Sequence, residues 1–456
     1  MGDPQIKEVS LIRSMGFWQI WAIGVGAVVG DGIFLYMGQG VSAAGPSALL
    51  AFAIAGFLQM FIMVAMGELS VGMPEAGAMS VWVERYMGKF FGLLSGLTFS
   101  VGWVVLGGSI SVALGRFMAY WIPIGSLDTG TVIWAAVWFS IFCIMNIAGA
   151  AIAGISQLIL VLMLVGIMVI FAVAGIIKGV DMSQMTPFFP NGVGGFSACI
   201  PIATFAYMGA ACICTSGSEC KNPRDLGRAL VWSSLTFIIV YCLALFVVLG
   251  TIDWKSASLD VSIFTVAAET IWGPIGGTIL NFAAWLAAAT CLIMGTIYTP
   301  SRIFYSMAKE GYMPKVLARV NPKTKTPITG IVIIWIIGIL GILAAMAFGA
   351  ATFYVTLCNQ AVIAWSISWG LAVIAGIYYR KDLGIERIKN EVGWHQPLYP
   401  AIPILAIIGI LYVLYLCFYD MAQVVGFVIW MGIYIIYYSR IKSKINKGLI
   451  RADVQF

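Results

Sequence analysis

The sequence predicts an all-α polytopic membrane protein of twelve transmembrane helices, and three observations carry that expectation. Hydrophobic residues make up 61% of the 456 positions and charged residues only 10%, against roughly a quarter charged in ordinary soluble domains. The apolar residues gather into repeated runs of about 20, the length that crosses a hydrocarbon core. The basic residues, finally, concentrate on alternate connecting segments, as membrane topology requires.

Taken in order, the spans fall at roughly 17–44, 47–72, 88–121, 131–149, 153–178, 195–218, 229–250, 274–307, 327–349, 352–379, 398–419 and 421–439. The first follows a short charged lead (Lys7, Arg13) and runs too long for the apolar core of a cleaved signal peptide. Most connections are short. The longer ones are 74–88, 308–326 and 380–397 on one side and 251–273 on the other, where SIFTVAAETIWG reads as an amphipathic helix lying at the interface. With the N-terminus cytoplasmic, all 25 Lys and Arg except Arg116, Lys178 and Lys255 lie on the cytoplasmic side. This is the positive-inside pattern, and it places both termini in the cytoplasm and the protein in the plasma membrane, or the inner membrane of a bacterium. The net charge of +6 is therefore a topological signal and does not point to nucleic acid.

Nine cysteines lie almost all within apolar spans at spacings that match no zinc or disulfide pattern, and they read as small packing residues. His395 is the only histidine, so a histidine-based metal or nucleophile–base site is not expected. No G-x-x-x-x-G-K-[ST] loop occurs, which argues against nucleotide drive. No cofactor, metal or catalytic residue is expected, and the chain does not read as an enzyme.

The most informative stretch is GVGAVVGDGIF at 24–34, four glycines and an aspartate within a span. Backbone groups at membrane depth must be satisfied by the protein or by a water-filled cavity, so such a break marks a site. Gly30 and Gly32 permit backbone angles closed to other residues. Span six, FSACIPIATFAYMGAACICTSGSE, has a similar centre at Tyr207-Met208-Gly209. The two breaks open consecutive sets of five spans, the pointer to an inverted repeat with a midplane site: residues 1–180 form one half, 181–380 the other, and 381–456 carry spans eleven and twelve. The half-helix starting near Ile33 offers a positive dipole end to a carboxylate, and the carbonyls before Tyr207 suit an ammonium. Asp31 reads either as an N-cap of that half-helix or as a counter-charge or proton carrier.

Four segments in order resemble the amino acid–polyamine–organocation transporters: GVGAVVGDGIF, GELSVGMPEAGAMSVWV (67–83), FAYMGAACICTSGSECKNPRDLGRAL (205–230) and SRIFYSMAKEGYMPKVLARVNPKTKTPI (301–328). The resemblance covers spans one to ten. It implies a LeuT-type five-plus-five inverted repeat with broken helices one and six, and an amino acid substrate. It implies substrate contacts at Gly26, Val29, Gly30, Asp31, Gly32, Phe205, Ala206, Tyr207, Met208 and Gly209, with Phe205 gating the pocket. The chain departs from the family pattern at Ala78 and Ser80, at Asp31, at Met163 where several members have a span-five lysine, and at Ala211 where many have an acid. Glu68, Glu84, Arg85, Glu219, Arg224 and Arg302 near cytoplasmic span ends read as topology markers or as an ion-pair latch, with Glu68 and Arg302 the favoured gate residues. Trp103, Trp285 and Trp365 could line the cavity, with interfacial or packing roles favoured.

The resulting expectation is a secondary transporter, permease or exchanger, carrying amino acids by alternating access. Its partners are a small-molecule substrate, a coupling proton or sodium ion, and membrane lipids. An alternative substrate is an amine or polyamine without a carboxylate, with Asp31 as its counter-charge. An ion channel is disfavoured because no carbonyl filter or charged ring is visible. A membrane enzyme lacks a catalytic cluster, and a structural or receptor role leaves the two breaks unexplained.

Overall fold

The computed structural model describes residues 11–30, 32–257, 262–348 and 350–448. Among these residues no strand forms; a single bridge joins Met15 to Cys220. The helices follow the expected spans, with two, three, four and five at Ala48–Gly72, Lys89–Trp121, Leu127–Ala148 and Ala150–Lys178. Seven to twelve run Arg224–Leu249, Pro274–Lys309, Ile328–Phe348, Ala350–Leu383, Ala401–Cys417 and Met421–Asn446. Eleven stretches are long and apolar enough to cross a membrane, and Ala401–Cys417, a shorter apolar helix, stands in the place of span eleven. The expected interfacial helix is Ile263–Trp272.

Local chemistry sets several ends. Ser126 caps span four by accepting from the Thr129 N–H at 3.2 Å, and Asp420 caps span twelve through the Ala422 N–H at 2.9 Å. Gly149, at φ 142°, separates spans four and five by a conformation closed to a helix.

Burial divides the bundle into an inner and an outer group. Spans one, three, six and eight are buried over 78–83% of their most apolar windows, whereas four, five and nine reach 33% and twelve only 11%. Ile170, Ile177, Leu340 and Val428 point outward from that second group. An apolar exterior of this extent suits hydrocarbon and not water. Inside, small residues let helices approach closely: Gly108 of span three and Gly341 of span nine face one another across their backbones. Span two packs on seven and six, and span one on seven and five, which puts both breaks at the centre.

Candidate functional site

Span one is helical over Phe17–Val28, turns, and resumes at Gly32–Tyr36 and Met37–Ala44. The Val29 N–H still reaches the Val25 carbonyl at 2.7 Å, but the Gly30 N–H bonds only two residues back, to the Val28 carbonyl at 2.8 Å. Span six is helical over Gly192–Ala206, breaks at Tyr207–Gly209, and continues as a 3₁₀ helix over Ala210–Glu219. Each break therefore presents a carbonyl end and an N–H end toward the same region, both polarities of the helix dipole.

Gly209 is where the two breaks touch. Its φ is +146°, and a Cβ there would stand 2.1 Å from the Ala27 carbonyl oxygen, so only glycine fits. Gly30 and Gly32 are held in close quarters. A Cβ on Gly30 would meet Cys291 at 3.2 Å, and one on Gly32 would meet Ala206 Cα at 3.2 Å and Phe205 at 3.3 Å.

Sequence reasoning missed Tyr241 of span seven. Its buried hydroxyl lies 2.8 Å from the Val28 carbonyl and 3.2 Å from that of Ala206, so it donates toward the terminal carbonyls of both half-helices. A lone phenol within FIIVYCLALF was the available signal.

Between the breaks lies a narrow cavity with about 10 Å³ of room for a water-sized sphere. Of the expected contacts, Gly30, Gly32, Phe205, Ala206 and Met208 border it. Val29 is buried without bordering it, and Gly26 packs against Gln157 and Val161 of span five. Tyr207 turns its ring away, onto Phe52, Phe237 and Tyr241. Asp31 lies outside the described residues. Trp103 and Trp365 take the cavity-lining alternative and border the cavity, while Trp285 packs on Phe282 and Trp138. Phe205 lies parallel to Trp365 at 6.5 Å and meets Tyr36 edge-on at 5.3 Å. The walls contributed by the described residues are apolar and aromatic, and the polar groups there are chiefly backbone. Met163, aligned with the family's span-five lysine, is 44% exposed on the outer face, while Gly154, Gln157 and Val161 are among the span-five residues beside span one.

Charged side chains near the N-terminal end of the bundle form separate networks, and Glu68 and Arg302 are not partners. Arg302 of span eight, fully buried, grips Glu219 through both carboxylate oxygens at 3.0 and 3.1 Å, and its guanidinium lies 3.9 Å over the Tyr298 ring. Tyr298 also donates to Glu219. The Glu219 carbonyl in turn accepts from the N–H groups of Ser14 and Met15 at 2.9 and 3.0 Å, holding the segment before span one. Glu68 instead accepts from Arg380 at 2.8 Å and from the Gln396 N–H at 2.7 Å. A third group joins Glu84 to Tyr312. Burial pushes the Glu84 carboxyl above its usual range, although the Tyr312 hydroxyl and Lys89 work in the other direction.

Fold and site together define a multi-pass membrane protein of the LeuT-type architecture, with a small central cavity at two helix breaks. The chain belongs to the amino acid permease family, whose model matches residues 19–449. It is 28% identical over 418 residues to the amino-acid permease RocE of Bacillus subtilis, covering 88% of each chain. It is likewise 28% identical to the D-serine/D-alanine/glycine transporter of Escherichia coli over 345 residues, 72% of each. Among solved structures it is similar to MhsT in complex with L-phenylalanine, with a TM-score of 0.64, 16% identity, and 90% and 99% of the two chains covered.

Proposed function

We propose that this chain is a secondary transporter that carries amino acids across the plasma membrane by alternating access, with both termini in the cytoplasm. The observation that carries the reading is the meeting of the two breaks at Gly209 and Ala27. Oppositely polarised half-helix ends in one place suit a zwitterion: N–H ends for its carboxylate, carbonyl ends for its ammonium. Gly30, Gly32, Phe205, Ala206 and Met208 form the walls, with Phe205 as the inner gate. Because the described wall residues carry no charged side chain, the favoured substrates have uncharged side chains. The cavity has little free room in this arrangement, so substrate enters only when a four-span bundle carrying both breaks rocks against the remaining spans. The relatives named as an amino-acid permease and as a D-serine/D-alanine/glycine transporter support the same substrate class.

A second reading has one sequence feature in its favour, the carboxylate of Asp31 between two cavity-lining glycines. In it the substrate is an amine without a carboxylate, and Asp31 is the counter-charge. In either case Asp31 is the candidate carrier of a coupled proton.

The test is a thermal-shift screen of purified protein against amino acids, decarboxylated amines and polyamines, followed by counterflow in proteoliposomes. A ligand at 100 times its dissociation constant adds about 2.7 kcal/mol of apparent stability. Stabilisation by neutral amino acids, with faster labelled uptake into preloaded vesicles, is the expected result. Stabilisation by amines alone selects the second reading. Uptake indifferent to preloading indicates a pore and defeats both.

A further inference from the structure

A larger space of about 130 Å³ lies outside the central cavity, between spans three, ten and twelve. Val101, Val105, Leu357, Ala364, Ile367 and Phe427 form most of its surface. Its polar neighbours have partners: Thr98 accepts from the Trp430 indole N–H at 3.3 Å, and the Gln360 amide donates to the Ala422 and Gln423 carbonyls at 3.4 and 3.2 Å. These bonds tie span twelve to its neighbours and leave the space between them half open to the outside of the bundle, where Val105 is 39% exposed and Val428 61%. The lining residues come from the middle of their spans, so the opening lies at the depth of the hydrocarbon core.

Only a thin wall separates this groove from the central cavity. Leu106 borders both. Gly102, in the groove, lies so close to Trp365 that a Cβ there would be 2.5 Å from its indole nitrogen. Trp365 is held by a 3.1 Å bond to the Phe99 carbonyl, lies 4.5 Å from Trp103, and faces Phe205.

We propose that the groove binds a hydrocarbon chain of a bilayer lipid and that its filling is felt in the central cavity through Leu106 and Trp365. Size and chemistry both select a chain. An apolar cavity of about 150 Å³ accepts a benzene-sized molecule, whereas a helix of a second copy, roughly 10–12 Å across, is too wide to enter. A headgroup finds no charged partner there, since every lining side chain is uncharged. The hydrocarbon that surrounds the spans is what the mouth meets.

The experiment uses full-length protein in vesicles containing a phosphatidylcholine with a mid-chain diazirine, irradiated and mapped by peptide mass spectrometry. Adducts are expected at Val101, Val105 and Ala364. Val101→Phe and Ala364→Phe should cut them at least fivefold, and Phe427→Ala, which widens the groove, should raise them. Adducts at Ile170 on span five serve as the reference and stay constant. Melting temperatures verify that each variant is folded. Uniform labelling that filling leaves unchanged overturns the lipid site. So does a Val428→Cys variant that cross-links to a second copy and thereby removes the adducts. The coupling to the central cavity rests on the transport reading, and its arm is separate. The two filled variants should change the substrate KM at least threefold, and an unchanged KM overturns the coupling. Labelling is read without any transport, so failure of the transport reading leaves the lipid result standing.

Discussion

At Gly209 a single hydrogen in place of a side chain lets two broken helices touch. Gly209→Ala meets both a disfavoured φ and the Ala27 carbonyl, and strain of this kind costs about 1–3 kcal/mol. The variant should melt lower and lose ligand-induced stabilisation; an unshifted melt with intact ligand response would mean that the breaks are not locked together. Gly32→Leu tests proximity alone. It should insert normally and bind nothing, because Phe205 and Ala206 occupy the space, and wild-type uptake would place the site elsewhere. Tyr241→Phe removes the hydroxyl shared by the Val28 and Ala206 carbonyls; with the Gly30 N–H still on Val28, the thermal midpoint should fall by an amount worth about 0.5–1.5 kcal/mol. Asp31 is separable by two substitutions. Asn caps nearly as well as Asp, so Asp31→Asn should lose cation recognition or pH dependence if the charge matters. If Asp31 is only a cap, Asn is harmless and Asp31→Ala costs about 0.5–2 kcal/mol. The expected outcome is a severely impaired Asn variant in a pH-resolved uptake assay.

Between elements, ion pairs fasten the end of the bundle where the N-terminal segment is held. Arg302 and Glu219 are both within 1% of complete burial. Removing one partner of such a pair leaves an uncompensated charge and costs about 3–5 kcal/mol. Glu219→Gln or Arg302→Met should therefore lower the thermal midpoint sharply. The double variant should recover much of the loss; a double variant as unstable as the singles would assign the effect to packing. Glu84 makes a pH prediction of definite sign. Its carboxyl is raised in the fold, chiefly by burial. The associated stability is present below the unfolded carboxyl value of about 4.3 and is lost as pH rises through the higher folded value, at about 1.4 kcal/mol per unit of separation. Glu84→Gln should remove that slope from melting temperatures measured between pH 4 and pH 8, and an identical slope would assign the titration to another group.

For the molecule as a whole, the charge distribution predicts a membrane orientation. With both termini cytoplasmic, a cysteine introduced at Lys444 in a cysteine-free background should react with impermeant maleimide only after the membrane is opened, and one at Lys255 should react in intact cells. The opposite pattern inverts the topology. The long connections hold short helices such as Met79–Met87 and Ile263–Trp272 packed on the bundle.

The spans, the two breaks and the family were legible in the chain by itself, because they depend on local properties. Length and apolarity decide what crosses a membrane, and glycine with polar centres marks where a crossing helix fails. The four segments at 24–34, 67–83, 205–230 and 301–328 also preserve their order and spacing without any need of a third dimension. What the tertiary structure decided was which side chains meet. Sequence could not assign Arg380 to Glu68 or Glu219 to Arg302, since those pairs join spans 312 and 83 positions apart. Nor could it tell that Trp365 and Trp103 border the cavity while Tyr207 turns away, because a span that is apolar all round has no moment to reveal its inward face. The packing around the glycines was hidden for the same reason. Gly30 and Gly32 are small because Cys291, Ala206 and Phe205 press on them, and those neighbours are set by the packing of distant helices.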